Sequence, residues 1–151
     1  MVSALGHAAD AAQRERYEAA RALAQRAYAP YSGFSVGAIV VGPSGRPYGG
    51  VNVENAAYPA GLCAERAALA ALVAAGEREV LSVAVAALTG GDCLPCGMCL
   101  QALAEFGDPA VVARTGGEVR ALRLRELLTA PFAAAAGCGA VSELASEGGE
   151  T

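Results

Sequence analysis

The sequence predicts an α/β fold, a mixed sheet with helices on both faces, and three observations carry that expectation. A β-branched, alternating stretch broken by Gly42-Pro-Ser-Gly45 reads as a hairpin in the first third of the chain. Downstream, alanine- and leucine-rich helical patterns alternate with short apolar runs, the order of strand–helix–strand units. Glycine or proline punctuates the segments, at Pro30, Gly76, Gly107 and Gly116-Gly117.

The first element, about Ala8 to Ala29, is rich in Ala, Arg, Glu and Gln, with Leu23, Ala27 and Tyr28 near one face, and reads as an amphipathic helix stopped by Pro30. Ser35 to Val41 and Arg46 to Val53 read as the two strands of the hairpin, and Gly49-Gly50 marks a bulge or a close backbone approach. A helix from near Leu62 to Ala75 follows, then a strand from Val80 to Ala87 and a helix from Cys96 to Phe106. Two short strands, Ala110 to Arg114 and Val119 to Leu122, and a last helix over Arg125 to Leu128 complete an order αββαβαββα. Crossovers after Val53 favour parallel pairing. Ala133 to Thr151 is small and polar and is expected to add little to the core.

A chain of 151 residues suits a single domain over 1–151, with its core at about 8–132. Much of its 54% hydrophobic content is alanine and it has no tryptophan, so each core position removes little apolar area from water. Burying further surface against copies of itself would help such a subunit. No apolar run reaches the roughly 18 residues of a membrane span, and the N-terminus lacks a signal-peptide pattern. A cytoplasmic protein with no membrane partner is expected, and its cysteines read as ligands or reactive groups rather than disulfides. A net charge of −4 opposes tight binding to a phosphate backbone, so no nucleic-acid partner is expected and a small, weakly charged ligand fits better.

The chemistry concentrates in Cys63-Ala-Glu65 and, about thirty residues later, Pro95-Cys96-Gly-Met-Cys99. Each cysteine falls in the first turn of an expected helix, where unpaired N–H groups and the helix dipole favour a thiolate. Three protein ligands leave a catalytic Zn²⁺ one open position, whereas a closed structural zinc usually needs four. A fourth could be His7, in an N-terminal stretch expected to be mobile, or Cys138 in the polar tail. Cys93, Cys96 and Cys99 also form a C-x₂-C-x₂-C run, but the position where a ferredoxin-like site would continue is Leu103. Glu65 alone could be an acidic residue favouring a helix N-terminus, worth less than ~1 kcal/mol. Arg66 alone could be a surface helix residue. Asn52 and Glu54, two apart in a strand, share one face and could simply be solvated.

These residues sit in a wider pattern. Ala29-Pro-Tyr31-Ser-Gly-Phe34-Ser-Val-Gly37, Asn52-Val-Glu54-Asn55-Ala56-Ala-Tyr58-Pro59, Cys63-Ala-Glu65-Arg66 with the second cysteine pair, and Leu127-Leu-Thr-Ala-Pro-Phe132 follow in order. From Tyr28 to Phe132 the chain resembles the small, homotetrameric, zinc-dependent cytidine deaminases. The resemblance implies a three-layer α/β/α cytidine-deaminase-like fold with a central mixed five-stranded sheet. It implies one Zn²⁺ per subunit on Cys63, Cys96 and Cys99, with Pro95 fitting that register and Cys93 left as a nearby free thiol. Glu65 would carry protons between water, N3 of the base and the leaving amine. Arg66 would donate to the ligand sulfurs and offset their charge.

The same resemblance puts Asn52 and Glu54 on the ribose hydroxyls and Phe34 against the nucleoside. Ala56, Tyr58 and Phe132 would reach a neighbouring subunit's site in a homotetramer with shared active sites. The implied reaction is hydrolytic deamination of cytidine and 2′-deoxycytidine to the uridines with release of ammonia, in pyrimidine salvage. Leu100 departs from the family's usual arginine after the last zinc cysteine, which puts any salt bridge from that arginine in doubt. A blasticidin-type deaminase, a polynucleotide-editing deaminase and an inactive zinc-binding structural protein are the rival readings. Against them stand the intact ribose motif, an acidic chain whose first ligand is Cys rather than His, and the retained Glu65.

Overall fold

The computed structural model describes residues 5–132, so Cys138 and the segment after Phe132 lie outside the described residues. Among the described residues six strands form one sheet in the order β1-β6-β5-β4-β2-β3, one more than expected. They are β1 (His7–Ala8), β2 (Val36–Val41), β3 (Pro47–Val51), β4 (Ser82–Ala87), β5 (Ala110–Thr115) and β6 (Glu118–Arg123). Helix α1 (Ala11–Leu23) covers one face; α2 (Ala64–Ala74) and α3 (Gly97–Ala104) cover the other, and the short α4 (Leu124–Leu127) follows β6.

The alternation of the strands sorts the core into two layers. Val36, Ala38, Val40, Val83, Val85, Val111 and Ala113 point toward α2 and α3, where they meet Leu72 and Leu103. Ile39, Val41, Ala84, Ala86, Val112 and Ala121 point the other way, toward Tyr17 and Ala20 of α1. Both faces of β2 and β4 are therefore buried, which is why those strands read as nearly continuous apolar runs. Leu72 and Leu103 are fully buried, and each contributes about 1.5–3 kcal/mol relative to exposure. The alanines contribute less individually but let helix and sheet backbones approach.

Of the two crossovers expected to give parallel pairs, only the second does. β4 pairs parallel with β5, while β2 lies between β3 and β4 and pairs antiparallel with both. Helix α1 starts at a capping box, Gln13 N–H to Asp10 Oδ1 at 2.8 Å and Asp10 N–H to Gln13 Oε1 at 2.9 Å. It ends earlier than its composition suggests, passing through a 3₁₀ turn (Ala24–Arg26) into extended backbone at Ala27. Tertiary pairing overrides propensity here: Tyr28 N–H bonds to Asn52 O and Tyr28 O accepts from Glu54 N–H, bringing Tyr28 beside Val53.

The N-terminal stretch expected to be mobile supplies the sixth strand. β1 pairs antiparallel with β6, His7 opposite Ala121, and the Arg120 guanidinium donates to Leu5 O and Gly6 O, each at 3.1 Å. No helix among the described residues is long and apolar enough to cross a membrane.

Gly50 marks the close approach, and the β2–β3 register runs past it without a bulge. A Cβ there would lie 2.3 Å from Ala68 N and 2.4 Å from Ala64 O, so α2 rests directly on β3. Both obstructing atoms are backbone and cannot rotate away. Gly50→Ala should lower unfolding free energy by about 1–3 kcal/mol, the usual cost of overpacking, and reduce bound zinc by displacing the start of α2. Denaturant unfolding together with elemental analysis checks this; parental stability and parental zinc would contradict it.

Candidate metal and catalytic site

Two helix starts on the same face of the sheet create the site. Cys63 is the N-cap of α2 and Cys96 the N-cap of α3; Glu65 and Cys99 lie in the first turns that follow. The Sγ atoms of Cys63, Cys96 and Cys99 all lie within 4.8 Å of one another, and Cys96 and Cys99 are 3.6 Å apart. Glu65 is only 5% exposed, and the Cys99 thiol donates to its Oε2 at 3.5 Å. The helices thus bring together all three expected ligands and the expected proton carrier. His7 and Cys93 are not in that cluster.

The electrostatics differ from the expectation that helix N-termini would favour all three thiolates. Burial pushes the Cys63 thiol up from its ordinary value, and the Glu65 carboxylate and Cys96 push it further. Burial, then Glu65 and Cys63, hold Cys99 far above the normal thiol range. Only Cys96 comes out lowered: burial raises it, but hydrogen bonds from the Cys99 N–H and from neighbouring thiols outweigh that. Desolvation and mutual repulsion therefore exceed the helix-terminus effect at two positions. Three converging sulfurs of this kind are poorly satisfied by each other and well satisfied by a soft divalent cation, so the donor set fits Zn²⁺.

Desolvation likewise raises the Glu65 carboxyl above the ordinary glutamate value, against the lowering effect of its hydrogen bonds and of Arg66. Arg66 lies beside Cys63 and acts to lower its pKa. Its Nη2 donates to Gly61 O at 3.1 Å, while its Nε is buried without a protein partner. Arg66 is thus no ordinary surface residue.

A cleft of about 460 Å³ opens over this cluster, lined on the ligand side by Phe34, Asn52, Glu54 and Tyr58. Glu54 accepts from Tyr31 N–H at 2.8 Å, from Ser32 N–H at 3.2 Å and from the Ser32 hydroxyl. The Ser32 hydroxyl first, then the Tyr31 N–H, hold its carboxyl below the usual range, so it is an anion facing the cleft. Asn52 also faces the cleft, but its amide already serves the backbone: Oδ1 accepts from Val36 N–H at 2.8 Å and Nδ2 donates to Phe34 O at 2.9 Å. One lone pair and one N–H remain for a ligand.

Ala56 is exposed and lies outside the cleft lining, Tyr58 is 82% exposed at its edge, and Phe132 is 81% exposed and outside it. Sequence reasoning missed Ser32, which orients Glu54. The motif Tyr31-Ser-Gly-Phe34 carried that signal, since a hydroxyl in a tight turn commonly bonds nearby polar groups. Cys93 is buried in the core and also lines the cleft; burial first and then Glu65 push its thiol up to about 11. Leu100 is a core residue, packed where a charged side chain would be desolvated.

A three-layer α/β/α domain with three converging thiols and a buried carboxylate under a cleft defines a zinc-site protein. Comparison with known proteins narrows the class. The family model described as the cytidine and deoxycytidylate deaminase zinc-binding region matches residues 11–115. A cytidine deaminase of Sporosarcina psychrophila is 39% identical over 111 residues, 72% of this chain and 82% of that protein. One from Mycobacterium tuberculosis strain H37Rv is 41% identical over 106 residues, covering 70% and 78%. Among solved structures, the cytidine deaminase of Burkholderia pseudomallei is 42% identical with a TM-score of 0.72, covering 79% of this chain and 98% of that one. The Mycobacterium tuberculosis enzyme gives 36% identity and a TM-score of 0.74, covering 83% and 100%. The chain belongs to the cytidine and deoxycytidylate deaminase family.

The metal assignment has a direct check. Purified protein should hold about one Zn²⁺ per chain, as expected for a three-ligand centre. Cys63→Ala, Cys96→Ala and Cys99→Ala should each lose it, and Cys93→Ala and Cys138→Ala should keep it. Zinc loss confined to Cys93→Ala in elemental analysis would contradict the ligand set.

Proposed function

We propose that this chain is a cytidine deaminase that converts cytidine and 2′-deoxycytidine, with water, to uridine and 2′-deoxyuridine plus ammonia. The observation that carries the reading is Glu65, buried against Cys99 at the floor of a cleft whose other wall offers Asn52 and the Glu54 carboxylate. Cys63, Cys96 and Cys99 would hold a Zn²⁺, which when bound would lower the pKa of a water toward neutrality.

The chain's own groups do the rest. Glu65 takes the proton released from water and passes it to N3 of the pyrimidine as the hydroxide adds to C4; it then takes the proton of the new C4 hydroxyl and delivers it to the amine, which leaves as ammonia when the C4–N bond breaks. A carboxyl raised by desolvation suits both directions of transfer, since its pKa is shifted toward the working pH. Arg66, beside Cys63, offsets part of the charge of three thiolates. Glu54, held anionic by Ser32 and Tyr31, accepts from the ribose 3′-hydroxyl; Asn52 contributes its free amide valences and holds Phe34, whose ring flanks the nucleoside. The intact ribose side favours a nucleoside over blasticidin, and the acidic chain favours it over a polynucleotide.

Glu65→Gln keeps the shape and removes the proton carrier. Its turnover of cytidine should fall at least 10²–10⁴-fold, roughly the range for one general acid–base group, with zinc content unchanged. Ammonia and uridine release, assayed with blasticidin S and single-stranded DNA alongside, tests both substrate and mechanism. Near-normal turnover by Glu65→Gln, or activity on either alternative in place of cytidine, would defeat the reading.

The same reading makes the protein a single-domain cytoplasmic enzyme of pyrimidine salvage that works as a homotetramer with shared sites. Support for sharing comes from the aromatics. Tyr58 and Phe132 are more than four-fifths exposed on a lone subunit, and Met98 and Phe34 are also open around the cleft. Phe132 of one copy then stacks on the base bound by another, with Ala56 and Tyr58 at the same boundary; such aromatic contacts add ~0.5–1.5 kcal/mol beyond buried area. Reassembling Glu65→Gln chains with Phe132→Ala chains should give more activity than the average of the two parents. Some sites would then combine an intact Glu65 with a neighbour's intact Phe132. A fully active monomer, or mixed assemblies no better than that average, would count against shared sites.

A further inference from the structure

We infer that Gln101 is the positioning residue for Phe132, so that the helix carrying the metal ligands of one subunit aims the aromatic ring offered to the next. The inference rests on the proposed role of Phe132 in a neighbouring copy's pocket. Both atoms of the Gln101 amide engage that single residue. Its Nε2 donates to Phe132 O at 2.8 Å, and Phe132 N–H donates to its Oε1 at 2.8 Å. Two bonds to the N–H and C=O of one residue fix the direction of its Cα–Cβ bond, much as a neighbouring strand would.

Phe132 needs such a hold. It follows Pro131, which has no N–H to donate, and it lies beyond α4, outside any helix or strand. Phe132 is 81% exposed, so burial among the described residues does not orient its ring. Gln101 is itself well anchored: it is half-buried on α3, two residues after Cys99 and next to the core residue Leu100. The ring is therefore referenced to the zinc helix.

Chemistry explains why the residue is glutamine. A carboxylate at 101 accepts from Phe132 N–H but has nothing to donate to Phe132 O, and leucine does neither. Of these three side chains, only the amide, or the carboxyl when protonated, supplies both.

The test compares zinc-loaded Gln101→Leu, Gln101→Glu, Phe132→Ala and the double variant Gln101→Leu/Phe132→Ala with the parent. Gln101→Leu should raise KM for cytidine about tenfold, the scale of a lost pair of neutral hydrogen bonds, with a smaller change in kcat and parental zinc content. The double variant should match Phe132→Ala alone, because Gln101 acts only through that ring. For Gln101→Glu, the ratio of its KM to the parent's should rise as pH passes upward through the introduced carboxyl's titration, since deprotonation removes the donor. Parental KM in Gln101→Leu with impaired Phe132→Ala would overturn the clamp, as would losses that multiply in the double variant, a pH-independent ratio for Gln101→Glu, or zinc loss in Gln101→Leu. Parental KM in Phe132→Ala would instead overturn the stacking role and the clamp with it.

Discussion

The first turns of α2 and α3 have to lie close enough for three sulfurs to converge, and the packing of both helices on the sheet serves that requirement. Cys63 belongs to one helix and Cys96 and Cys99 to the other, so neither helix can shift by the width of an atom without opening the cluster. Gly50 sets the depth of α2 by letting Ala64 and Ala68 ride on the β3 backbone. Leu72, Leu100 and Leu103 then bind both helices to one layer of valines and alanines from β2, β4 and β5. Small side chains under the helices and large ones between them give a rigid spacing, as dense packing requires.

That rigid spacing creates an electrostatic tension. Cys63, Cys99 and Glu65 are all driven toward their neutral forms by burial, and the Glu65 carboxylate makes ionisation of both thiols harder still. A divalent cation would reverse the balance for the thiols, and Glu65 lies beside the sulfurs as a buried carboxyl group. The far wall shows the opposite arrangement. Glu54 is only half-buried and is kept anionic by three donors from the turn at Tyr31 and Ser32. One cleft thus holds two glutamates in contrasting environments, one suited to moving protons and the other to accepting from hydroxyl groups.

What could be read from the chain was whatever depends on short-range spacing. Cys63, Glu65, Cys96 and Cys99 are legible because the motif that carries the family resemblance has short, fixed spacings, and Gly76 and Gly107 mark helix ends at positive φ as expected. Three-layer packing follows from the alternation of the strands. The rest depended on partners far along the sequence. The early end of α1 comes from Tyr28 bonding to Asn52 and Glu54, and β1 exists because Arg120 and Glu126 hold Leu5 and Gly6. The position of β2 between β3 and β4 is a matter of long-range pairing that no crossover rule specified. Asn52 was readable as polar and cleft-facing, but not as a brace for Phe34 and Val36. The upward push on the Cys63 and Cys99 thiols without a metal is not legible, because helix termini are visible in sequence and burial beside other acids is not.

The sixth strand also constrains the order in which the chain can be assembled. Residues 7 and 8 pair with residues 121 and 120, so nearly the whole described chain separates the partners. During synthesis the β2–β3 hairpin can close as soon as it emerges, and β4 can then add to β2. The N-terminal strand has no edge to join until β6 has been made. The first described residues to leave the ribosome are among the last to find their place.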